Sequence, residues 1–155
     1  NDESGLFFLD QEFLNESFVK TFYVDIRDSN EIMRKLSGVD LVFHCAAMKH
    51  VIVSEKSPEQ AIATNINGVT NVIEACRENG VQKLIFTSSD KAVNPTNVMG
   101  TTKLMGERLV TAANSVSRSG ETIFASTRFG NVLGSSGSVV PIFKNQLLHG
   151  MPITI

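Results

Sequence analysis

Short apolar runs alternate along this chain with longer stretches in which apolar residues recur at helical spacing. Runs of strand length fall at 19–25, 39–45, 81–88 and 121–128, and helical stretches at 6–15, 29–36, 58–79, 97–118 and 139–149. This alternation predicts βαβ units and hence a parallel sheet, because parallel neighbours need a crossover of at least about a dozen residues. The predicted class is therefore α/β, a Rossmann-like doubly wound parallel sheet. Local punctuation agrees, with Pro58 at the start of the longest helical stretch and Gly80 just past its end, where the backbone must stop being helical. The stretch between 45 and 58 reads as a polar loop. A glycine- and serine-rich turn precedes the last helix.

One expected feature is missing from the pattern. A doubly wound dinucleotide fold opens with a strand, a glycine-rich turn and a helix whose N-terminus meets a pyrophosphate. No GxGxxG turn occurs here. The chain accordingly reads as an incomplete, internal portion of a longer protein. Residues 1–155 would form part of a dinucleotide-binding domain, with a substrate region beginning near 131–155. Without the first strand, the strands at 39–45 and 81–88 are expected to lack a proper neighbour, leaving the piece poorly stable and inactive by itself.

Composition narrows the picture. With 155 residues, 42% of them hydrophobic and 19% charged, the chain can bury one core and its length demands no second domain. A net charge of −2 with scattered Lys and Arg offers no basic stripe, so no nucleic-acid partner is expected. Cys45 and Cys76 are isolated and lack metal-site spacing, which predicts reduced thiols and no metal. No run reaches the roughly 18 apolar residues of a membrane span, and the acidic start NDESG is unlike a signal peptide.

Candidate chemistry concentrates between Thr87 and Lys103. Ser89, Asp90 and Lys91 follow the strand at 81–88, which places three polar side chains at the carboxyl edge of a parallel sheet, where ligands bind in such folds. The tripeptide alone would read as a turn with a cap and a solvated lysine. The following helix adds Met99 and Lys103 one turn apart, on one face. Methionine carries no titratable proton, so acid and base at this site must come from Ser89, Asp90 and Lys91.

Four segments, HCAAMKHV, ATNINGVTNVIEAC, SSDKAVNPTNVMGTTK and RFGNVLGSSGSVVPIF, occur in the order and spacing of one family. They resemble extended short-chain dehydrogenases of the nucleotide-sugar 4,6-dehydratase group, which act on UDP-N-acetylglucosamine in polysaccharide biosynthesis. Within it, Met99 at the position of the usual Tyr resembles the branch of large, often membrane-anchored enzymes. The resemblance implies NAD or NADP as cofactor, a UDP-sugar as substrate, a cytoplasmic location or the cytoplasmic face of the inner membrane, and a homo-oligomer. Asp25 and Ile26 would flank the adenine, Cys45, Ala46 and Ala47 would line the cofactor, and Asn65 and Val132 would adjoin it. Lys103 would hydrogen-bond the nicotinamide ribose. For the substrate, the resemblance implies Lys49, Thr87, Ser88, Asn131, Ser136, Gly137, Ser138, Val139, Val140 and Pro141. Lys91 would be the base at carbon 5 and Asp90 the acid for the leaving hydroxyl, with Ser89 near the carbon 4 oxygen.

Plainer readings stand beside these. Lys49 with His50 also reads as a solvated loop pair, Asn65 as a polar residue near a helix kink, and 134–137 as a flexible loop. At the level of the whole protein, a nucleotide-sugar 4-epimerase shares the fold and the first oxidation. A non-catalytic dinucleotide or nucleotide-sugar binding module would account for the missing Tyr and the missing glycine-rich turn.

Overall fold

The structure is a computed structural model and describes residues 2–118, 121–133 and 139–153. In chain order its elements are α1 (Glu3–Glu12), α2 (Ser29–Lys35), β1 (Leu41–His44), α3 (Val51–Lys56) and α4 (Pro58–Ile62). A π turn (Ala63–Asn67) leads into α5 (Gly68–Glu78), followed by β2 (Lys83–Ser89), a 3₁₀ turn (Asp90–Ala92), α6 (Val98–Val116), β3 (Ile123–Phe129) and α7 (Val139–Leu148). The strands form one parallel sheet in the order β1-β2-β3, with Leu41 opposite Lys83 and Ser89 opposite Phe129. All three carboxyl ends therefore meet at one edge.

The core lies between that sheet and the pair α5 and α6. Along β2, Leu84, Phe86 and Ser88 are buried while Lys83 is exposed, the period-two pattern of a strand with one covered face. Leu84 and Phe86 pack with Val69, Val72, Ile73 and Cys76 of α5, Val110 of α6 and Phe124 of β3. Each such side chain contributes roughly 1.5–3 kcal/mol when fully buried. Gly106 lets α6 approach the sheet, since a Cβ there would sit 2.7 Å from the Phe86 ring. The end of α5 is a Schellman turn: Gly80 takes φ +66°, its N–H donates to the Arg77 carbonyl, and Val81 N–H reaches the Cys76 carbonyl at 2.9 Å.

Four sequence expectations change. The apolar run at 19–25 forms no strand, because apolar character marks a wish for burial but a ladder needs a partner backbone, and β1 pairs only with β2 among the described residues. The strands read at 39–45 and 81–88 do have a neighbour, namely each other. The loop between 45 and 58 contains α3, and the single helix expected at 58–79 is α4 and α5 joined through a π turn. No helix among the described residues is long and apolar enough to cross a membrane.

Candidate active site at the carboxyl edge of the sheet

The strand ends open onto a cleft of about 670 Å³ that gathers most of the residues singled out from the sequence. Cys45, Ala47, Lys49, Thr87, Ser88, Ser89, Lys91, Met99, Lys103, Asn131, Val132 and Val139 all line it, together with His50, Phe129 and Gly130. A smaller cleft of about 290 Å³ lies beside it, lined by residues 24–27 (with Asp25 and Ile26), Ala46, Ala47, Met48, Gln60 and Thr64. Ala47 lines both, so the two form adjoining parts of one trough. Val140 and Pro141 follow Val139 in α7, and Ser136, Gly137 and Ser138 lie outside the described residues.

Helix α6 is placed against the cleft by its own first turn. The Asn97 side chain accepts the Gly100 N–H at 2.8 Å, and Glu55 reaches across from α3 to accept the Val98 N–H at 2.6 Å. These caps satisfy two of the donors that a helix start leaves unpaired and put a carboxylate at the positive end of the dipole. At Gly100 any Cβ would collide with the Lys91 carbonyl oxygen, so only glycine lets this turn lie against the 3₁₀ turn. Met99 and Lys103 are thereby brought to the cleft on one face.

Lys103 is only 6% exposed, and its Nζ donates to the Thr87 carbonyl at 2.8 Å while lying 4.8 Å from the centre of the Phe86 ring. Burial lowers its pKa to about 8. His44, at the end of β1, packs against the other side of that environment with its ring 5.6 Å from Phe86. Its Nε2 has no hydrogen-bond partner among the described residues, and burial, followed by the charge of Lys103, lowers its pKa to about 4.

The Ser89–Asp90–Lys91 triplet is more open. Ser89 Oγ donates to Asp90 Oδ1 at 2.9 Å, and Lys91 Nζ approaches the same oxygen at 3.2 Å. The Ser89 hydroxyl first, then the Lys91 ammonium, hold the Asp90 carboxyl below the usual carboxylate range. Asp90 is therefore an anion at neutral pH. Across the cleft, Asn131 Oδ1 lies 3.5 Å from Lys91 Nζ.

Two predicted cofactor residues have their polar groups turned to other parts of the chain. Asn65, at 1% exposure, lies in the π turn; it accepts the Met48 N–H at 2.8 Å and donates to the Met48 carbonyl and to Thr102 Oγ1. It lines neither cleft. Instead it ties the loop after β1 to α6. Asp25 does line the smaller cleft, but its carboxylate holds Arg27, whose Nη1 in turn donates to Gln60. Sequence reasoning missed Glu55, Gly100, and the ion pair of Glu107 with Arg128. Gly100 carried a visible signal as a glycine inside a helical stretch, next to the Met99 it positions.

Comparison with known proteins places the chain. Residues 1–155 match the family described as polysaccharide biosynthesis protein. The chain is 48% identical over 143 residues to the UDP-N-acetylglucosamine 4,6-dehydratase (inverting) of Campylobacter jejuni, a match covering 90% of the chain and 43% of that protein. It is 44% identical over 142 residues to the UDP-glucose 4-epimerase of Rickettsia rickettsii, covering 92% of the chain and 42% of that protein. Among solved structures, Pen from Bacillus thuringiensis superposes with a TM-score of 0.96 at 44% identity, covering 100% of this chain and 49% of that one. The Thermus thermophilus UDP-glucose 4-epimerase in complex with NAD gives 0.77 at 27% identity, covering 90% and 51%. The chain thus spans less than half the length of the Campylobacter and Rickettsia relatives. With a match over its whole length and a parallel sheet whose carboxyl edge carries the expected motifs, the chain belongs to the polysaccharide biosynthesis protein family.

Proposed function

We propose that the protein carrying this chain is a nucleotide-sugar 4,6-dehydratase acting on UDP-N-acetylglucosamine, and that this chain is part of its dinucleotide-binding domain, with the substrate region beginning near residue 131. The observation that carries the reading is the Ser89–Asp90–Lys91 cluster at the sheet edge, next to buried Lys103 and with Met99 where a proton-handling residue would stand. The Campylobacter relative supports the substrate.

The trough fits a nicotinamide dinucleotide. Its floor at Ala46 and Ala47 is made of small side chains that permit close approach, and it runs from Asp25 and Ile26 to the Lys103 ammonium. Asp25 and Ile26 would flank the adenine end, Cys45 to Ala47 the middle, and Lys103 the nicotinamide ribose, while Asn65 would act by holding the Met48 backbone. NAD, bound in the Thermus relative, would supply hydride acceptance from carbon 4 and hydride return to carbon 6 of the sugar.

The chain's own residues would move the protons. Asp90, ionised at neutral pH, accepts the carbon 4 hydroxyl proton, directly or through Ser89. A ketone at carbon 4 makes the carbon 5 hydrogen acidic. Lys91, in its neutral form, removes that proton and later returns one to carbon 5. Protonated Asp90 then delivers its proton to the departing carbon 6 hydroxyl, which leaves as water.

The Rickettsia relative favours a second reading, a 4-epimerase, which makes the same ketone but eliminates no water. The full-length protein, incubated with UDP-N-acetylglucosamine in deuterated water, separates the two. A product lighter by one water with deuterium at carbon 5 is expected, and Lys91→Ala should abolish that incorporation while dinucleotide binding persists. An isomer of unchanged mass would establish the epimerase, and normal deuterium incorporation in Lys91→Ala would remove Lys91 from the base role.

A further inference from the structure

Near the carboxyl edge of the sheet lies an ion pair that the proton chemistry above does not use. Arg128, next to last in β3, grips Glu107 of α6 with both arms of its guanidinium, Nε to Oε1 and Nη2 to Oε2, each at 2.7 Å. The Glu107 side chain is 10% exposed and that of Arg128 48%, so the carboxylate is the buried partner. Those two hydrogen bonds hold the Glu107 carboxyl below the usual carboxylate range, leaving it charged at neutral pH. A planar fork on a carboxylate fixes direction as well as distance, which a lysine at the same place would not do.

The position of this pair matters more than its strength. Glu107 lies one helical turn beyond Lys103 on α6, and Arg128 stands opposite Ser88 in the ladder. Three residues after Arg128 comes Asn131, whose Oδ1 faces the Lys91 ammonium at 3.5 Å. Beyond β3 the chain leaves the sheet, so the ladder no longer determines where Asn131 goes. The ladder ends at Phe129, opposite Ser89, and Arg128 just before it is the residue whose side chain ties this end of β3 to α6.

We propose that the Glu107–Arg128 ion pair is a positioning clamp: it fixes the carboxyl end of β3 on α6 so that Asn131 meets Lys91 and holds its Nζ over the cleft. Arg128 and Glu107 touch neither substrate nor cofactor in this scheme and act through Asn131. The consequence for turnover rests on the dehydratase reading, whereas the consequence for Lys91 does not.

The test uses the full-length protein and two readouts. The first is competitive acetylation of lysines by acetic anhydride, with Lys91 followed by mass spectrometry against exposed Lys20 as internal reference. Arg128→Lys keeps the charge but loses the fork, and Asn131→Ala removes the amide. Both should change Lys91 labelling by roughly threefold or more, the order expected for losing one half-exposed hydrogen bond. The second readout is deuterium incorporation at carbon 5 of UDP-N-acetylglucosamine, which should slow by roughly 10–100-fold in Arg128→Lys, as misplacement of a reacting group by about an ångström does. Dinucleotide affinity should stay near wild type. Wild-type Lys91 labelling in folded Arg128→Lys would overturn the clamp, since a purely stabilising ion pair would change only the melting temperature. Should Arg128→Lys fail to fold, unchanged Lys91 labelling in Asn131→Ala overturns it equally. Altered labelling in a protein whose wild type incorporates no deuterium would leave the clamp standing and sink the dehydratase reading.

Discussion

Lys103 meets two opposed demands at the scale of one side chain. Its ammonium has a carbonyl acceptor in Thr87 and an aromatic face in Phe86, yet burial disfavours its charge strongly enough to lower the pKa from 10.5 to about 8. The sign of the resulting pH dependence follows from which state holds the proton. Between about pH 8 and 10.5 the unfolded chain still binds it while the folded chain has released it, so stability rises with pH across that window. Below pH 8 both states are charged and the full desolvation cost remains. In the full-length protein, wild type should therefore gain on Lys103→Met as pH is raised from 8 to 10, by at most about 3 kcal/mol, read from urea midpoints at each pH. Parallel curves for the two proteins would mean that Lys103 is not desolvated as the geometry requires. His44 behaves in the same sense at acid pH: neutral when folded, with a pKa of about 4 against 6.5, it makes stability fall as pH drops through that interval.

Between elements, the central joint is Asn65. The π turn adds one residue to the helical path between α4 and α5 and turns an amide inward, where it satisfies both backbone groups of Met48 and the Thr102 hydroxyl at once. Asn65→Ala strands the part-buried Met48 N–H and carbonyl, at roughly 1–3 kcal/mol for each unsatisfied group, so a loss of about 2 kcal/mol or more in unfolding free energy is expected. A loss below 1 kcal/mol would show that water replaces the amide. The sequence announced a polar residue near a kink here, but not that its amide closes on the chain itself. Elsewhere legibility followed locality. β2, β3 and α6 were readable because period, caps and the 87–103 motif lie within one stretch of chain. Helix α3 was hidden because Val51, Ile52 and Val53 are β-branched and six residues are too few to show a helical period. Glu107 and Arg128 stand 21 positions apart, and only the packing of α6 on β3 brings them together.

For the whole molecule, the decisive fact is how much apolar surface the described residues leave in water. Helices α1 and α7 bury no residue, and Phe7, Phe8, Phe18 and Tyr23 are each more than half exposed. Phe43 is 62% exposed on β1, a strand whose second edge carries no ladder among the described residues. Contiguous exposed apolar surface and an open strand edge both favour association. The solved Pen chain is about twice as long as this one, so in a protein of that size further polypeptide is available to cover such faces. The 155-residue chain by itself should then bind a hydrophobic dye such as ANS strongly, elute from a sizing column above monomer size and melt over a broad range. The full-length protein should show weak dye binding and a sharp transition under the same conditions. A monomeric 155-residue chain with a sharp melt would mean that the core between the sheet and the pair α5 and α6 is sufficient alone, and that the open faces on α1, α7 and β1 cost the fold nothing.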